Sequence, residues 1–173
     1  MTNKDTNSAS MNKPALVFGA SGLQGKYVIQ GLLGKTTQPV YAASRDPSKV
    51  QYAMDSGAEF IKVDLQDPHS IGNSLRITKA KYIFLVATTE IFNAHMPKKA
   101  QENEFRCIQS FFDVLCRVYE EDRLHRHVIF SSFENVEKLN SQLSMEDTNY
   151  IQPLEDGSVV AHFSGRYESI LCL

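Results

Sequence analysis

Several common signals are missing from this chain, and each absence narrows what it can be. The three cysteines, Cys107, Cys116 and Cys172, are odd in number and share no C-x-x-C spacing. That argues against a disulfide framework and for reduced, mostly buried thiols in a reducing compartment. No neighbour in sequence clearly lowers a thiol pKa, so a sensor thiol is the lesser reading. No apolar run approaches membrane length and no signal peptide opens the chain. No membrane association is expected, and the cytoplasm is the expected address, with the nucleus as an alternative. Lys and Arg total 18 against 20 for Asp and Glu, a formal net charge of −2. With no basic face apparent, direct nucleic-acid binding is not expected. His125 and His127 form a pair with no further ligands nearby, so no metal site is expected either.

What is present is a chain of 173 residues, enough for one domain burying about 70 % of its unfolded surface. It is organised around residues 15–25, ALVFGASGLQG. Four residues suited to a buried strand, Ala15 to Phe18, run into Gly19-Ala20-Ser21-Gly22-Leu23-Gln24-Gly25, and a helical pattern follows from Tyr27 to Leu33. Strand, glycine turn and helix together make an anion site from backbone alone. The first glycine permits a tight turn, the second lets the main chain approach a pyrophosphate, and the third lets the helix pack close. The pyrophosphate would rest on the N–H groups and positive dipole end of that helix. A dinucleotide is therefore expected at Gly19, Ser21, Gly22, Leu23, Gln24 and Gly25.

The chain before and after this stretch supports the same picture. Residues 1–13 are polar and lack apolar periodicity, so a disordered tail is expected there, with residues 14–173 as the nucleotide-binding domain. Val40 to Ala43 reads as a second strand ending at Ser44-Arg45-Asp46-Pro47, where Asp46 caps the next helix and Pro47 opens it. At the end of a second strand a carboxylate binds the ribose hydroxyls of NAD, whereas an arginine accommodates the 2′-phosphate of NADP. Arg45 stands in line there, with Lys49 one turn on, which favours NADP(H).

Gly57 closes a short helix over residues 49–56, and Phe60 to Asp64 reads as the third strand. Asp64 and Leu65 then reach the adenine edge, Asp64 as a hydrogen-bond acceptor. Asp67-Pro68 repeats the cap-and-proline device before a helix from Ser70 to Ile77. Tyr82 to Ala87 is a continuous apolar run, as expected of a central parallel strand covered on both faces. It ends at Thr88, so Ala87 and Thr88 are placed beside the cofactor's second ribose. Residues 91–99 read as a loop closed by Pro97. From Ala100 to Glu121, Phe105, Ile108, Phe111, Phe112, Leu115, Val118 and Tyr119 follow the 3.6-residue period of a helix packed on the sheet. Val128 to Phe130 is the fifth strand, and residues 133–157 read as a loop. Strands alternating with helices predict an α/β fold: a Rossmann-type, doubly wound parallel sheet of about five strands in the order 3-2-1-4-5, with helices on both faces.

The Gly-x-x-Gly-x-x-Gly spacing, with Ala-Ser between the first two glycines, resembles the extended and atypical short-chain dehydrogenase/reductase group. Gln24 narrows the resemblance to the NmrA-like family, whose members bind NADP(H) and include redox-sensing regulators. Arg45 before Asp-Pro and a basic residue is similar to that family, as is the run from Gly57-Ala58-Glu59 to Asp64-Leu65-Gln66-Asp67-Pro68. Val63 departs from it, since a glycine is more usual there. His162-Phe163-Ser164-Gly165-Arg166 resembles the family segment beside the nicotinamide site and puts Arg166 where the family has a lysine. The resemblance covers residues 16–168 but only the family's cofactor half. A C-terminal substrate or partner subdomain is expected to be absent, leaving a sheet edge and some apolar helix surface exposed.

Short-chain reductases of the usual kind need a tyrosine and, four residues on, a lysine that lowers its pKa. None of the seven tyrosines has a lysine there; Tyr150, in the expected region, is followed by Leu154. Ser132 lacks catalytic partners, and Arg166 cannot relay a proton because a guanidinium stays charged. No catalytic residue is assigned. The expected function is that of a non-catalytic NADP(H)-binding module that senses the cofactor's redox state or level and acts through a protein partner or a second copy. An NADPH-dependent oxidoreductase reducing a quinone or small carbonyl by direct hydride transfer is the alternative. A truncated, inactive product is the third.

Overall fold

The computed structural model describes residues 13–86, 97–131 and 141–146, with side chains in the second span from residue 102. At its centre is β1 (Ala15–Phe18), four apolar residues that are all buried. Such a run suits a parallel strand with both faces covered. β1 pairs with β2 (Val40–Ser44) on one side and β4 (Tyr82–Leu85) on the other. β3 (Glu59–Lys62) flanks β2, and β5 (His127–Phe130) flanks β4. Every pairing is parallel and the order is β3-β2-β1-β4-β5, as the sequence predicts.

Alternation along β1 divides the core between two faces. Leu16 and Phe18 point to the side of α3 (Pro68–Thr78) and α4 (Pro97–Asp122), joining Ile71, Leu75, Phe111, Val114 and Val118. Phe18 meets Phe111 edge-on, with ring centroids 5.2 Å apart. Val17 points the other way, to Ile29 of α1 (Leu23–Leu33) and Ala53 of α2 (Gln51–Asp55). Arg76 on α3 and Glu121 on α4 clasp the two helices through a two-pronged ion pair at 2.7 and 2.8 Å.

Several boundaries differ from expectation. The helix expected over residues 49–56 divides into a 3-10 turn, Pro47–Val50, and α2. α4 begins at Pro97 instead of Ala100, because proline's fixed φ suits a first helical turn and does not close a loop here. Cover over β4 is uneven: Ile83 and Leu85 are buried on one face and Phe84 partly buried on the other, while Tyr82 at its start is 40 % exposed and Ile129, opposite Phe84 on β5, is 62 % exposed. Among the described residues, α1 packs on β1, β2 and α2, and of β4 only Phe84 joins the core on that side, partly buried.

His127 stacks on Tyr82 at 5.4 Å, while His125 lies against Tyr119 at 5.2 Å. The two imidazoles therefore serve different rings. Of the described cysteines, Cys107 is buried as expected but Cys116 is exposed, since it sits on the solvent side of α4. No helix among the described residues is long and apolar enough to cross a membrane. Lys13, counted with the tail by sequence, donates its N–H to the Gln38 side chain at 3.1 Å.

Candidate functional site

The glycine turn stands at the carboxyl end of β1, where the strand order reverses between β1 and β4. Open α/β sheets hold ligands in this crevice. Each of its three glycines answers to a different constraint. Gly19 has φ +73°, and a Cβ there would lie 2.6 Å from the Val86 carbonyl oxygen. Both backbone and space demand glycine. A Cβ on Gly25 would fall 2.3 Å from the Gly19 carbonyl oxygen and 2.7 Å from Ala20 Cα, because α1 packs directly onto the turn. Gly22 is exposed, with φ −87°, and a Cβ there would meet only the Gly19 oxygen, at 3.4 Å. Among the described residues neither backbone conformation nor a steric clash demands that glycine.

The Gly22 N–H donates to the Gly19 carbonyl at 3.0 Å, and α1 starts one residue later. Among the described residues no side chain caps α1, and its first turn carries no acid. Among the described residues nothing satisfies its leading N–H groups through a side chain, and the positive dipole end suits an anion. Ser21, Leu23 and Gln24 line the exposed rim. Gln24 Oε1 accepts a hydrogen bond from the Ser131 hydroxyl at 2.9 Å, which ties this rim to the end of β5. From the opposite side, the Tyr52 hydroxyl of α2 donates to the Ala20 carbonyl at 2.5 Å, and the Lys26 ammonium lies 5.2 Å from the Tyr52 ring centroid. Partial burial holds the Tyr52 phenol above the ordinary tyrosine pKa, so it keeps its proton and donates.

At the end of β2, the Ser44 hydroxyl donates to the Asp46 carbonyl at 3.0 Å and accepts the Asp46 N–H at 3.3 Å. This small loop leaves Arg45 exposed at the sheet's carboxyl edge. Asp46 accepts from the Ser48 hydroxyl at 2.8 Å and the Ser48 N–H at 2.9 Å. Those bonds, with the nearby Lys49 charge, hold its carboxyl below the usual range. The cap expected of Asp46-Pro47 is present, and Asp67 caps α3 in the same way through the His69 N–H at 2.9 Å.

A cleft of about 400 Å³ opens beside Arg45. Lys62, Val63 and Asp64 line it from the end of β3, and Asp67, His69, Ser70 and Asn73 from the start of α3. Asp64 is fixed twice: its N–H donates to the Ser70 hydroxyl and its Oδ1 accepts the Gln66 N–H, both at 2.9 Å. Arg45 and Asp64 are thus brought together as expected. Two residues expected beside them are not. Leu65 packs on the core, and Lys49 is exposed beside Asp46, outside the cleft lining. Ala87, Thr88 and Arg166 lie outside the described residues, as do Ser132 and Tyr150. Sequence reasoning missed Lys62, whose Cα pairs with Ser44 across the parallel ladder, one residue from Arg45. Behind the cleft, burial and the charges of Asp64 and Glu104 push the Cys107 thiol up, away from the reactive thiolate form.

A parallel sheet in this order, with a glycine turn at its switch point and an uncapped helix behind it, defines a Rossmann-type nucleotide-binding fold. The profile of the NmrA-like family matches residues 11–146, and the chain belongs to that family. Comparison with curated proteins gives no match. Among solved structures, Citrobacter sp. triphenylmethane reductase complexed with NADP(H) is similar, with a TM-score of 0.58 and 15 % identity over 92 % of this chain and 45 % of that one. UDP-glucose 4-epimerase of Thermotoga maritima has a TM-score of 0.64 and 14 % identity over 92 % of this chain and 49 % of its own. For the NADPH-dependent quinone oxidoreductase of Escherichia coli complexed with NADPH, the TM-score is 0.54 and the identity 16 %, over 92 % and 44 %. At these identities the likeness concerns the fold. The chain spans about half the length of these structures.

Proposed function

We propose that this chain binds NADP(H) and serves as a non-catalytic sensor of the cofactor's redox state or level, acting through a protein partner. One observation carries the cofactor reading: the start of α1, without a side-chain cap among the described residues, lies behind a glycine turn whose middle glycine, Gly22, is exposed and would hold a Cβ with only the Gly19 oxygen within 4 Å among them. Gly19, Ser21, Gly22, Leu23, Gln24 and Gly25 would hold the pyrophosphate on backbone N–H groups. Arg45 would meet the 2′-phosphate, and Asp64 the adenine side. NADP(H)-bound structures of the same fold support this choice of cofactor. When bound, NADPH supplies a hydride; the chain's own part is to grip and orient.

The sensor reading rests on the sequence, where no tyrosine is followed by lysine at the fourth position. A second reading, NADPH-dependent reduction of a quinone or small carbonyl, has its own support in the reductases that share the fold. Incubating the purified chain with NADPH and a panel of quinones separates the two. Binding without NADPH consumption is expected of the sensor, and steady consumption with any one quinone would overturn it in favour of the reductase.

A further inference from the structure

We propose that the hydrogen bond between Gln24 and Ser131 is a latch across the crevice, which the nicotinamide half of the cofactor opens when it binds. The inference rests on the NADP(H) reading above and concerns regulation of the same site. The Ser131 hydroxyl donates to Gln24 Oε1 at 2.9 Å and joins residues 107 apart in sequence. Gln24 stands in the first turn of α1, whereas Ser131 follows β5. The Ser131 N–H donates to the Leu85 carbonyl at 3.0 Å and extends the parallel ladder by one step. Faces along β5 alternate. Phe130 joins the core on the α3–α4 side, and Phe84, whose partner is Ile129, joins the core on the α1 side. Ser131 therefore returns to the α1 side, where Gln24 meets it.

The strand order gives this bond its place. β4 lies between β1 and β5, so a link from α1 to the end of β5 passes the end of β4, across two strand spacings or about 10 Å. A pyrophosphate on the start of α1 sends one half of a dinucleotide toward β2 and β3 and the other toward β4 and β5. The bond crosses the second path, not the first. Its two side chains can turn away without moving the backbone, because both anchors are held by other bonds. The Gly22 N–H and the Tyr52 hydroxyl fix the turn through the Gly19 and Ala20 carbonyls, and the ladder fixes Ser131. The bond is solvent-exposed, and exchange with water leaves a neutral hydrogen bond of this kind a small net strength. Cofactor contacts can therefore outweigh it. Once it opens, Gln24 and Ser131 are released from each other, and an event on α1 reaches the end of β5.

The test is a calorimetric titration of the whole chain and of Ser131→Ala, Ser131→Thr, Gln24→Met and the Ser131→Ala/Gln24→Met double variant. The ligands are NADPH and adenosine 2′,5′-bisphosphate, which lacks the nicotinamide half. The expected result is an affinity for NADPH about fivefold tighter in Ser131→Ala, with the bisphosphate unchanged. Ser131→Thr keeps the hydroxyl and should behave as the parent. Gln24→Met keeps the backbone N–H and removes the acceptor, so it should tighten NADPH alike, and the double variant should go no further than either alone. The two single variants remove the bond from opposite ends, so the result does not hang on the folding of one. The proposal is overturned if they bind NADPH as the parent does or more weakly, as loss of a brace would give, or if they tighten both ligands equally. A parent chain that binds neither ligand would instead defeat the NADP(H) reading on which the proposal rests.

Discussion

The hydroxyl of Tyr52 and the carbonyl of Ala20 are joined by a hydrogen bond of 2.5 Å across 32 residues of sequence. The contact braces the glycine turn from α2, the helix that follows Arg45. Tyr52→Phe leaves that carbonyl without its partner, so a loss of about 1 kcal/mol is expected in denaturant unfolding. NADPH binding should weaken as well, because the turn carrying the anion-binding N–H groups loses its support. Unchanged stability and unchanged affinity together would show the brace to be idle.

The three glycines should separate fold from binding. Gly25→Ala puts a methyl group against the Gly19 carbonyl and should cost about 1–3 kcal/mol through overpacking. Gly22→Ala meets little inside the chain and should shift stability by less than about 0.5 kcal/mol. It should nonetheless weaken NADPH binding sharply, since its methyl group occupies the space a pyrophosphate needs. Paired melting and binding curves check both.

Acid stability should depend on Asp122. The Arg126 guanidinium, whose side chain is only 2 % exposed, donates to Asp122 at 2.5 and 3.1 Å. The Arg126 bonds, followed by the Leu124 N–H, hold the Asp122 carboxyl below its ordinary value. The unfolded chain therefore takes up this proton at a higher pH than the folded one. The contribution is full above the ordinary carboxylate pKa of about 3.9 and is lost as pH falls below it. Asp122→Asn should lower stability at neutral pH and flatten the decline below about pH 4, as read by melting temperature across pH.

The two faces of the β4–β5 edge should respond differently. Phe111 is fully buried against Phe18 and Phe112, so Phe111→Ala should cost about 3–5 kcal/mol. Ile129, an exposed side chain, should tolerate Ile129→Thr within about 0.5 kcal/mol. A large loss at Ile129 in chemical denaturation would mean that this side chain is covered in solution.

The strands, the glycine turn and both aspartate caps can be read from the sequence because each depends on local chemistry, and the strand order follows from the handedness of strand–helix–strand units. Apolar runs make strands, glycine permits the φ of +73° at Gly19, and Asp before Pro fixes a helix start. The helical stripe of α4 was legible too, though Cys107 and Val114 also join its buried face and Phe105 and Tyr119 sit at its border. What depends on lateral register was not legible. Lys62 is 17 positions from Arg45 in the chain and becomes its neighbour only when β3 pairs with β2. Helical spacing, which is visible in sequence, points to Lys49, which is exposed and outside the cleft lining. The Tyr52–Ala20 brace was missed for the same reason: its partners come from separate elements.

The most direct test of the central claim is an equilibrium titration of the purified chain with NADPH, NADP⁺ and NADH, repeated on Arg45→Ala. The account predicts that the two phosphorylated forms bind, that NADH binds much more weakly, and that Arg45→Ala erases the difference. A chain that melts cooperatively yet binds none of the three would contradict it, and the glycine turn would then be a structural feature alone.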